Sequence, residues 1–479
     1  MSMIQRPIRG RTSMRWLAVL CAGLFALTGC VSMDAIIPAA PTAAGPPPPA
    51  PKTILSETHQ APEPAPREGF DKNKAVVSLT FDDGNASQYS AVEVLNELGM
   101  RGTFYVNSSV LGTPSYLTRA QLDSMVEKKH EIASHGLQHR NLKYLDPAEV
   151  QRQLCWDRQN LLGWGYKITS FAFPEAGANG MVEDAVEACG FNSARGLGGT
   201  KSTVGCKGCP VAEDFSPPKP FHTRAPAMVD EAWTLNDLKN LVTNTEDAGG
   251  GWMQITFHHF CPATCNELSL DIGIFKEFTE WLKAREESHG TVVRTVDDVI
   301  GGDVLPVVAP KMPDARETGN LVVNGGMKQP GITEDVKCWE PGGYGENTAF
   351  HSDVPEGVGG SAGLRLDMDE YHDGDAKMLQ RLDAGECAPQ VLPGERYEMK
   401  GQYTSDAPTQ FVMYLRSEHG EWSYWTASEW FKKSSGFTEA TWISPQIPEG
   451  FTGLSVGLSL FSEGTLVVDD VELGMVPRG

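Results

Sequence analysis

Ala75-Val76-Val77-Ser78-Leu79-Thr80-Phe81-Asp82-Asp83-Gly84 is the stretch on which the fold turns. The apolar, β-rich run reads as a strand, and it ends on two adjacent carboxylates. A buried carboxylate pair repels itself unless a proton or a cation is shared, so positive charge is expected beside it. Outward from this strand, further β-rich runs at 102–107, 131–134, 170–173, 191–195, 252–257 and 291–294 alternate with helical patterns at 87–98, 118–128, 147–162, 179–189, 235–245 and 272–285. About seven strand–helix alternations predict a parallel sheet with βα crossovers, a distorted (β/α)7 barrel that is closed or nearly closed. Sites in such folds lie at the carboxyl ends of the strands, which is where Asp82 and Asp83 fall.

Beyond a Pro-rich stretch at 307–315 the helical periodicity stops. Short alternating runs at 391–399, 410–416, 453–460 and 464–473, separated by turn signals, predict an all-β, jelly-roll-like sandwich of about 160 residues. The 479 residues are thus expected to divide into a signal peptide (1–29), a Pro/Ala-rich linker (30–70), an α/β domain (71–305), a second linker (306–318) and the sandwich (319–479). With 40 Lys plus Arg against 62 Asp plus Glu, the net charge of −22 has the wrong sign for neutralising phosphates, so no nucleic-acid partner is expected.

Four arginines precede the apolar run 16–27, a charged segment and core of secretory type, too short to span a bilayer. It closes on Leu27-Thr28-Gly29-Cys30, which resembles the bacterial lipobox. That resemblance implies lipidation of Cys30 and a membrane partner through the anchor. It places the chain in the cell envelope, at the outer membrane or extracytoplasmic face. The Pro-rich segment behind it would act as a semi-rigid spacer. Eight cysteines remain besides Cys21 and Cys30, an even number that in an exported chain reads as disulfides, with Cys338 and Cys387 pairing in the sandwich. Cys206-x-x-Cys209 and Cys261-x-x-x-Cys265 also have the spacing of a four-thiolate zinc site.

The run 131–134 leads into His135, with His139 four residues on. One carboxylate and two imidazoles from two βα loops form a three-ligand set with positions left open for water, the arrangement of a catalytic metal. Thr80 to Gly84, then His135 and His139 followed by Asn141-Leu142, then Phe171-Ala172-Phe173-Pro174, then Phe257-His258, together resemble the polysaccharide deacetylase family, carbohydrate esterase family four. The resemblance covers residues 75–300. It implies Asp82 as general base, Asp83, His135 and His139 as metal ligands, and His258 as general acid, with the adjacent His259 as the competing assignment. It also implies Zn2+ as the divalent metal, a backbone N–H near Pro174 that binds the oxyanion, and an acetylated polysaccharide as substrate. Such an ion would lower the pKa of bound water from near 16 to about 7 and polarise the acetyl carbonyl.

Many members carry an arginine in the third motif that braces the base, and this chain reads Phe171-Ala172-Phe173-Pro174-Glu175 instead. Arg195, at the end of the next strand, is the candidate substitute, with Arg224 next. In the sandwich, Trp422 and Trp425 are candidate glycan platforms, since aromatic faces stack on pyranose rings, although tryptophans are also ordinary sandwich core. The expected function is a polysaccharide deacetylase, a hydrolase acting on a linear amide. The alternatives are an O-acetyl polysaccharide esterase of xylan type, and a glycan-binding lipoprotein without catalysis.

Overall fold

The computed structural model describes residues 69–262, 265–331 and 336–478. The expected signal peptide, Cys30 and nearly all of the first linker lie outside them. The opening run is strand β1 (Ala75–Phe81), buried at all seven positions. It belongs to a parallel sheet with β2 (Thr103–Val106), β3 (Glu131–Ser134), β4 (Ser170–Ala172), β5 (Ser193–Arg195) and β6 (Gly251–Phe257), in the spatial order β5-β4-β3-β2-β1-β6. The crossovers are α1 (Tyr89–Glu97), α2 (Arg119–Glu127), α3 (Pro147–Gly163), α4 (Gly180–Ala188) and α5 (Leu235–Asp247). After β6 come a short parallel pair, β7 (His259–Cys261) and β8 (Ser269–Asp271), then α6 (Ile272–His289), β9 (Val292–Val293), which returns to β1, and α7 (Val296–Ile300).

Successive side chains of a strand point to opposite faces, so each strand feeds two hydrophobic layers. Val77, Leu79 and Phe81 pack outward with the helices, whereas Val76, Tyr105, Ala133, Ala172 and Trp252 fill the interior with residues of α7. The barrel is nearly closed rather than closed. Between β5 and β6 the ring is spanned by the loop that joins them, through a bridge of Thr223 to Arg195 and one of Glu213 to Trp252. The Arg224 side chain ties these together, donating to both Glu213 oxygens at 2.9 and 2.5 Å. The four-thiolate alternative is overturned, because each close pair closes on itself: Cys206 bonds Cys209 and Cys261 bonds Cys265. Cys155–Cys189 ties α3 to the end of α4, and Cys338–Cys387 forms within the C-terminal region.

That region is a sandwich of two antiparallel five-stranded sheets. The strands are β10 (Trp339–Tyr344), β11 (Asn347–Val354), β12 (Gly363–Tyr371), β13 (Asp375–Gln380), β14 (Tyr397–Ser405), β15 (Thr409–Ser417), β16 (Trp422–Ala427), β17 (Ser434–Ile443), β18 (Phe451–Leu460) and β19 (Gly464–Met475). One sheet has the order β10-β13-β18-β15-β16 and the other β11-β12-β19-β14-β17. Alternate residues such as Met399, Phe411, Met413, Leu458 and Leu466 meet between them as the core.

Helix α3 starts cleanly, with Asp146 capping Ala148 N–H at 3.0 Å and Pro147 at the first helical position. It then departs from an ordinary surface helix, which keeps one polar face. Glu149, Arg152, Gln153, Asp157, Arg158 and Asn160 are all buried. The inner ones serve the barrel, and the outer ones are covered by the sandwich. Glu149 accepts from Arg152 Nε and Gln153 Nε2, both at 2.9 Å, and from the backbone N–H groups of Ala384 at 2.8 Å and Glu386 at 3.2 Å. Beside it Leu137, Trp156 and Ala384 form an apolar cluster, and the Arg416 guanidinium stacks over Trp156 and Trp422 at 5.4 and 5.6 Å from the ring centroids. Glu149→Ala is expected to cost about 3–5 kcal/mol, because it strands a buried guanidinium and two buried N–H donors. Calorimetry should show the sandwich and the α/β domain unfolding in separate transitions; a single transition at the wild-type temperature would contradict this.

Candidate active site

β1 keeps its pairing through Asp82, whose N–H donates to Phe257 O at 2.9 Å. The chain then turns at Asp83 (φ 77°) and Gly84 (φ 71°). A side chain at Gly84 would also meet Val106 Cγ1 at 3.1 Å, so glycine is required there twice over. The turn sends the two carboxylates to different partners.

Asp83 Oδ1 lies 3.4 Å from His135 Nε2 and 3.2 Å from His139 Nε2, and the three potential ligand atoms fall within 4.8 Å of one another. His135 follows β3 directly, and its backbone N–H still pairs with Val106 O at 2.9 Å. Its Nδ1–H donates to Ala172 O at 2.8 Å, which leaves the Nε2 lone pair facing Asp83. Asn107 Nδ2 holds the carbonyls of His135 and Gly136, each at 2.7 Å. Asp157 anchors the loops from beneath, accepting from Ser108 N–H at 2.8 Å and Ser134 Oγ at 2.5 Å; its burial pushes its carboxyl up to about 6. Both Asp83 and His139 (φ 51°) hold left-handed backbone, a cost that clusters where function demands a geometry.

This donor set fits a divalent cation. Asp83 Oδ1 is buried and receives no hydrogen bond, and two imidazole nitrogens converge on it, a mixed N/O set suited to zinc and similar ions. Burial raises the Asp83 carboxyl, and the two imidazoles more than reverse this, holding it well below the usual carboxylate range. His139 is partly exposed, so the trio opens to one side.

Asp82 is buried, and Arg195 Nη2 donates to its Oδ1 at 2.6 Å and its Oδ2 at 2.5 Å. Both contacts come from one nitrogen rather than from the two-nitrogen fork of a bidentate pair. The guanidinium is itself buried and lies 5.2 Å from the Tyr105 ring centroid. Arg224 is occupied with Glu213 and plays no part here. His258 follows β6 immediately and is nearly buried, with an Nδ1 that has no hydrogen-bond partner. Gln88 Nε2 clamps its carbonyl at 2.9 Å and the Asp82 carbonyl at 2.5 Å, and Asn85 Nδ2 bridges His258 O and Asp83 Oδ2, both at 3.3 Å. Burial lowers the His258 pKa, while Asp82 and Asp83 pull it back up. His259 faces Ser87 instead, its Nδ1 3.4 Å from the hydroxyl.

Pro174 opens a short turn in which Glu175 and Ala176 take φ of 53° and 52°. Asn141 Nδ2 donates to Glu175 Oε2 at 3.0 Å. Trp422 lies under the Arg416 guanidinium and donates its Nε1–H to Asp383 O at 3.3 Å, Trp425 packs on the sandwich core, and both are partly exposed. Tyr344, Phe350, Tyr424 and Trp430 are more exposed rings of the sandwich. Asn85, Gln88, Tyr105, Asn107 and Asp157 escaped the reading of the sequence. Each is a single polar residue or ring in a loop, helix or strand, and only burial against the site marks it out.

Residues 70–194 match the family model described as polysaccharide deacetylase. The chain is 29% identical over 118 residues to "Putative polysaccharide deacetylase YxkH" of Bacillus subtilis (strain 168), an alignment covering 24% of this chain and 42% of that protein, so the chain spans less than half of that relative's length. Among solved structures it is similar to the Xyl-CE4 domain of a multidomain xylanase from the hindgut metagenome of Trinervitermes trinervoides, at 15% identity with a TM-score of 0.33, covering 47% of this chain and 89% of that one. It is also similar to a family 4 acetyl xylan esterase from Clostridium thermocellum in complex with a cobalt ion, at 16% identity with a TM-score of 0.32, with the same coverage of 47% and 89%. The polysaccharide deacetylase match thus spans the segment that carries Asp82, Asp83, His135 and His139, while Arg195, His258 and the sandwich lie beyond it.

Proposed function

We propose that the chain is a metal-dependent hydrolase that removes acetyl groups from N-acetylated polysaccharide. One observation carries the reading: beside the converging Asp83, His135 and His139, a second carboxylate, Asp82, is held by a buried arginine at the same strand ends. Asp83, His135 and His139 would hold a divalent ion, zinc by family likeness, which would supply Lewis acidity and lower the pKa of water there. Asp82 accepts the proton of the attacking water, and Arg195 holds that carboxylate in place. Gln88 and Asn85 tie His258 to the Asp82–Asp83 turn, so the acid and the base keep a constant separation while His258 protonates the leaving nitrogen. By family likeness, a backbone N–H of the turn that Pro174 opens would bind the oxyanion.

The charged and apolar segment that ends at Cys30 supports a lipid anchor in the cell envelope. Mass spectrometry of the mature chain is expected to find an N-terminal, acylated Cys30, and an unmodified cysteine would reject the anchor.

Acetate release from N-acetylated chitin oligomers and from O-acetylated xylan, with and without chelator, tests the activity. Chelator-sensitive release from the N-acetylated series is expected; release from xylan alone would make the chain an esterase, and none from either would leave it a binding protein. His135→Ala and Asp83→Ala should each purify without stoichiometric metal, since two protein ligands hold an open ion poorly. Asp82→Asn should keep its metal and lose roughly 100- to 10,000-fold in kcat, the usual worth of a general base. Activity within tenfold of wild type would move the base elsewhere.

A further inference from the structure

The α/β domain and the sandwich share a cavity of about 390 Å3, lined by His139, Asn141 and Glu175 from the first and by Glu340 and Arg381 from the second. The sandwich wall is firmly held. Arg140 donates to the two Glu340 oxygens at 2.8 and 3.2 Å and to Leu382 O at 2.9 Å, and Leu382 N–H donates back to Glu340 at 2.9 Å. On the other side of His139, Gln138 Nε2 donates to Gly420 O at 3.3 Å. Both sequence neighbours of this imidazole are therefore tied to the sandwich.

Glu340 lies on β10, where the register sets Glu340 opposite Leu379, Gly342 opposite Lys377 and Tyr344 opposite Asp375. Alternate residues share a face, so Tyr344 follows Glu340 on the outer face of the sheet, about 13 Å further on at roughly 3.3 Å per residue. The same face carries Tyr414 and Tyr424, whose rings meet edge to face at 5.8 Å, each two positions along its strand from the docking pair Arg416 and Trp422. Lys377 links the row: its Nζ is 5.6 Å from the Tyr344 ring centroid and 3.0 Å from the Tyr414 hydroxyl. Lys377 pairs with Asp375 at 2.6 Å, both almost wholly buried, and Asp375 Oδ1 has no hydrogen-bond donor. Above this buried pair the tyrosine rings stay open, with Tyr344 60% and Tyr424 43% exposed.

We propose that this sheet face is the distal part of the substrate groove, and that it binds an extended, uncharged polysaccharide chain that leads into the cavity beside His139. Tyrosine rings stack on the C–H faces of pyranoses, and their hydroxyls offer polar contacts to sugar hydroxyls. Because Lys377 and Asp375 neutralise each other, the row attracts neither phosphate nor a carboxylated chain. The groove extends the deacetylase reading and rests on it for the cavity end alone.

Affinity electrophoresis of the full chain in gels containing glycol chitin or acetylated xylan reads binding without needing catalysis. The wild type should be retarded by at least one polymer, and Tyr344→Ala/Tyr424→Ala should weaken that binding about tenfold. Phe350→Ala, an exposed ring on the opposite sheet, is the control and should bind as wild type does. Tyr424→Ala alone keeps the Tyr344–Lys377 contact and serves if the double variant fails to fold. In acetate release, the ratio of kcat/KM for a hexamer to that for a dimer should fall about tenfold in the double variant. Equal retardation of wild type and double variant, or no retardation of the wild type by either polymer, overturns the groove. Tyrosine-dependent binding with no acetate release from any substrate overturns the deacetylase reading and leaves the groove standing.

Discussion

Two adjacent carboxylates at the end of one buried strand demand two separate compensations, and the site is arranged around supplying them. Asp82 receives a buried guanidinium from β5, and Asp83 receives two imidazoles from the loop after β3. The left-handed turn at Asp83 and Gly84 lies where the two side chains part toward these partners. Sheet curvature is equally necessary. β5 and β1 are four spacings apart in the strand order, about 19 Å in a flat sheet at roughly 4.8 Å per strand, yet Arg195 touches Asp82. Only a sheet curled into a barrel brings its fifth strand back across the interior, and Tyr105 on β2 provides the ring over which the guanidinium crosses.

The same economy of charge governs the contact between the domains. Helix α3 buries most of its polar side chains, and Glu149 among them is completed by backbone N–H groups of the sandwich loop at Ala384 and Glu386. Buried ionic groups contribute little net stability, but they tolerate no loss of a partner, so they specify one mode of docking. That docking reaches the candidate reaction centre, since the residues on either side of His139 bond to the sandwich. The sandwich thereby becomes part of the site instead of a module tethered beside it.

Much of this was legible along the chain. The β-rich, largely apolar run 75–81 reads as a covered strand, and the change from helical periodicity to short alternating runs near residue 320 marked the sandwich. Asp82, His135 and His258 stood out because each follows a strand directly, with Asp83 one residue and His139 four residues further on, so their position near the carboxyl rim comes from local structure. The cysteines were legible as disulfides by number and only partly by partner, because pairing depends on Cα separations that spacing does not fix. Aromatic composition counts rings and says nothing of which face meets solvent; that Tyr344 and Tyr424 are strongly exposed is decided by the tertiary structure.

By itself the sequence determined the order of strands and helices, the carboxyl-end residues and the chemistry of their side chains, since these follow from patterns within a few residues of one another. The tertiary structure alone decided that Arg195 reaches Asp82, that Gln88 and Asn85 hold His258, that the loop joining β5 and β6 completes the barrel, and that Tyr344 and Tyr424 are the rings left open. The hydrogen bonds from Arg195 to Asp82 and from Gln88 and Asn85 to His258 join residues between 113 and 173 positions apart in the chain. Contacts at such separations are set by sheet curvature and domain docking, which depend on the packing of the whole core rather than on any local run of residues.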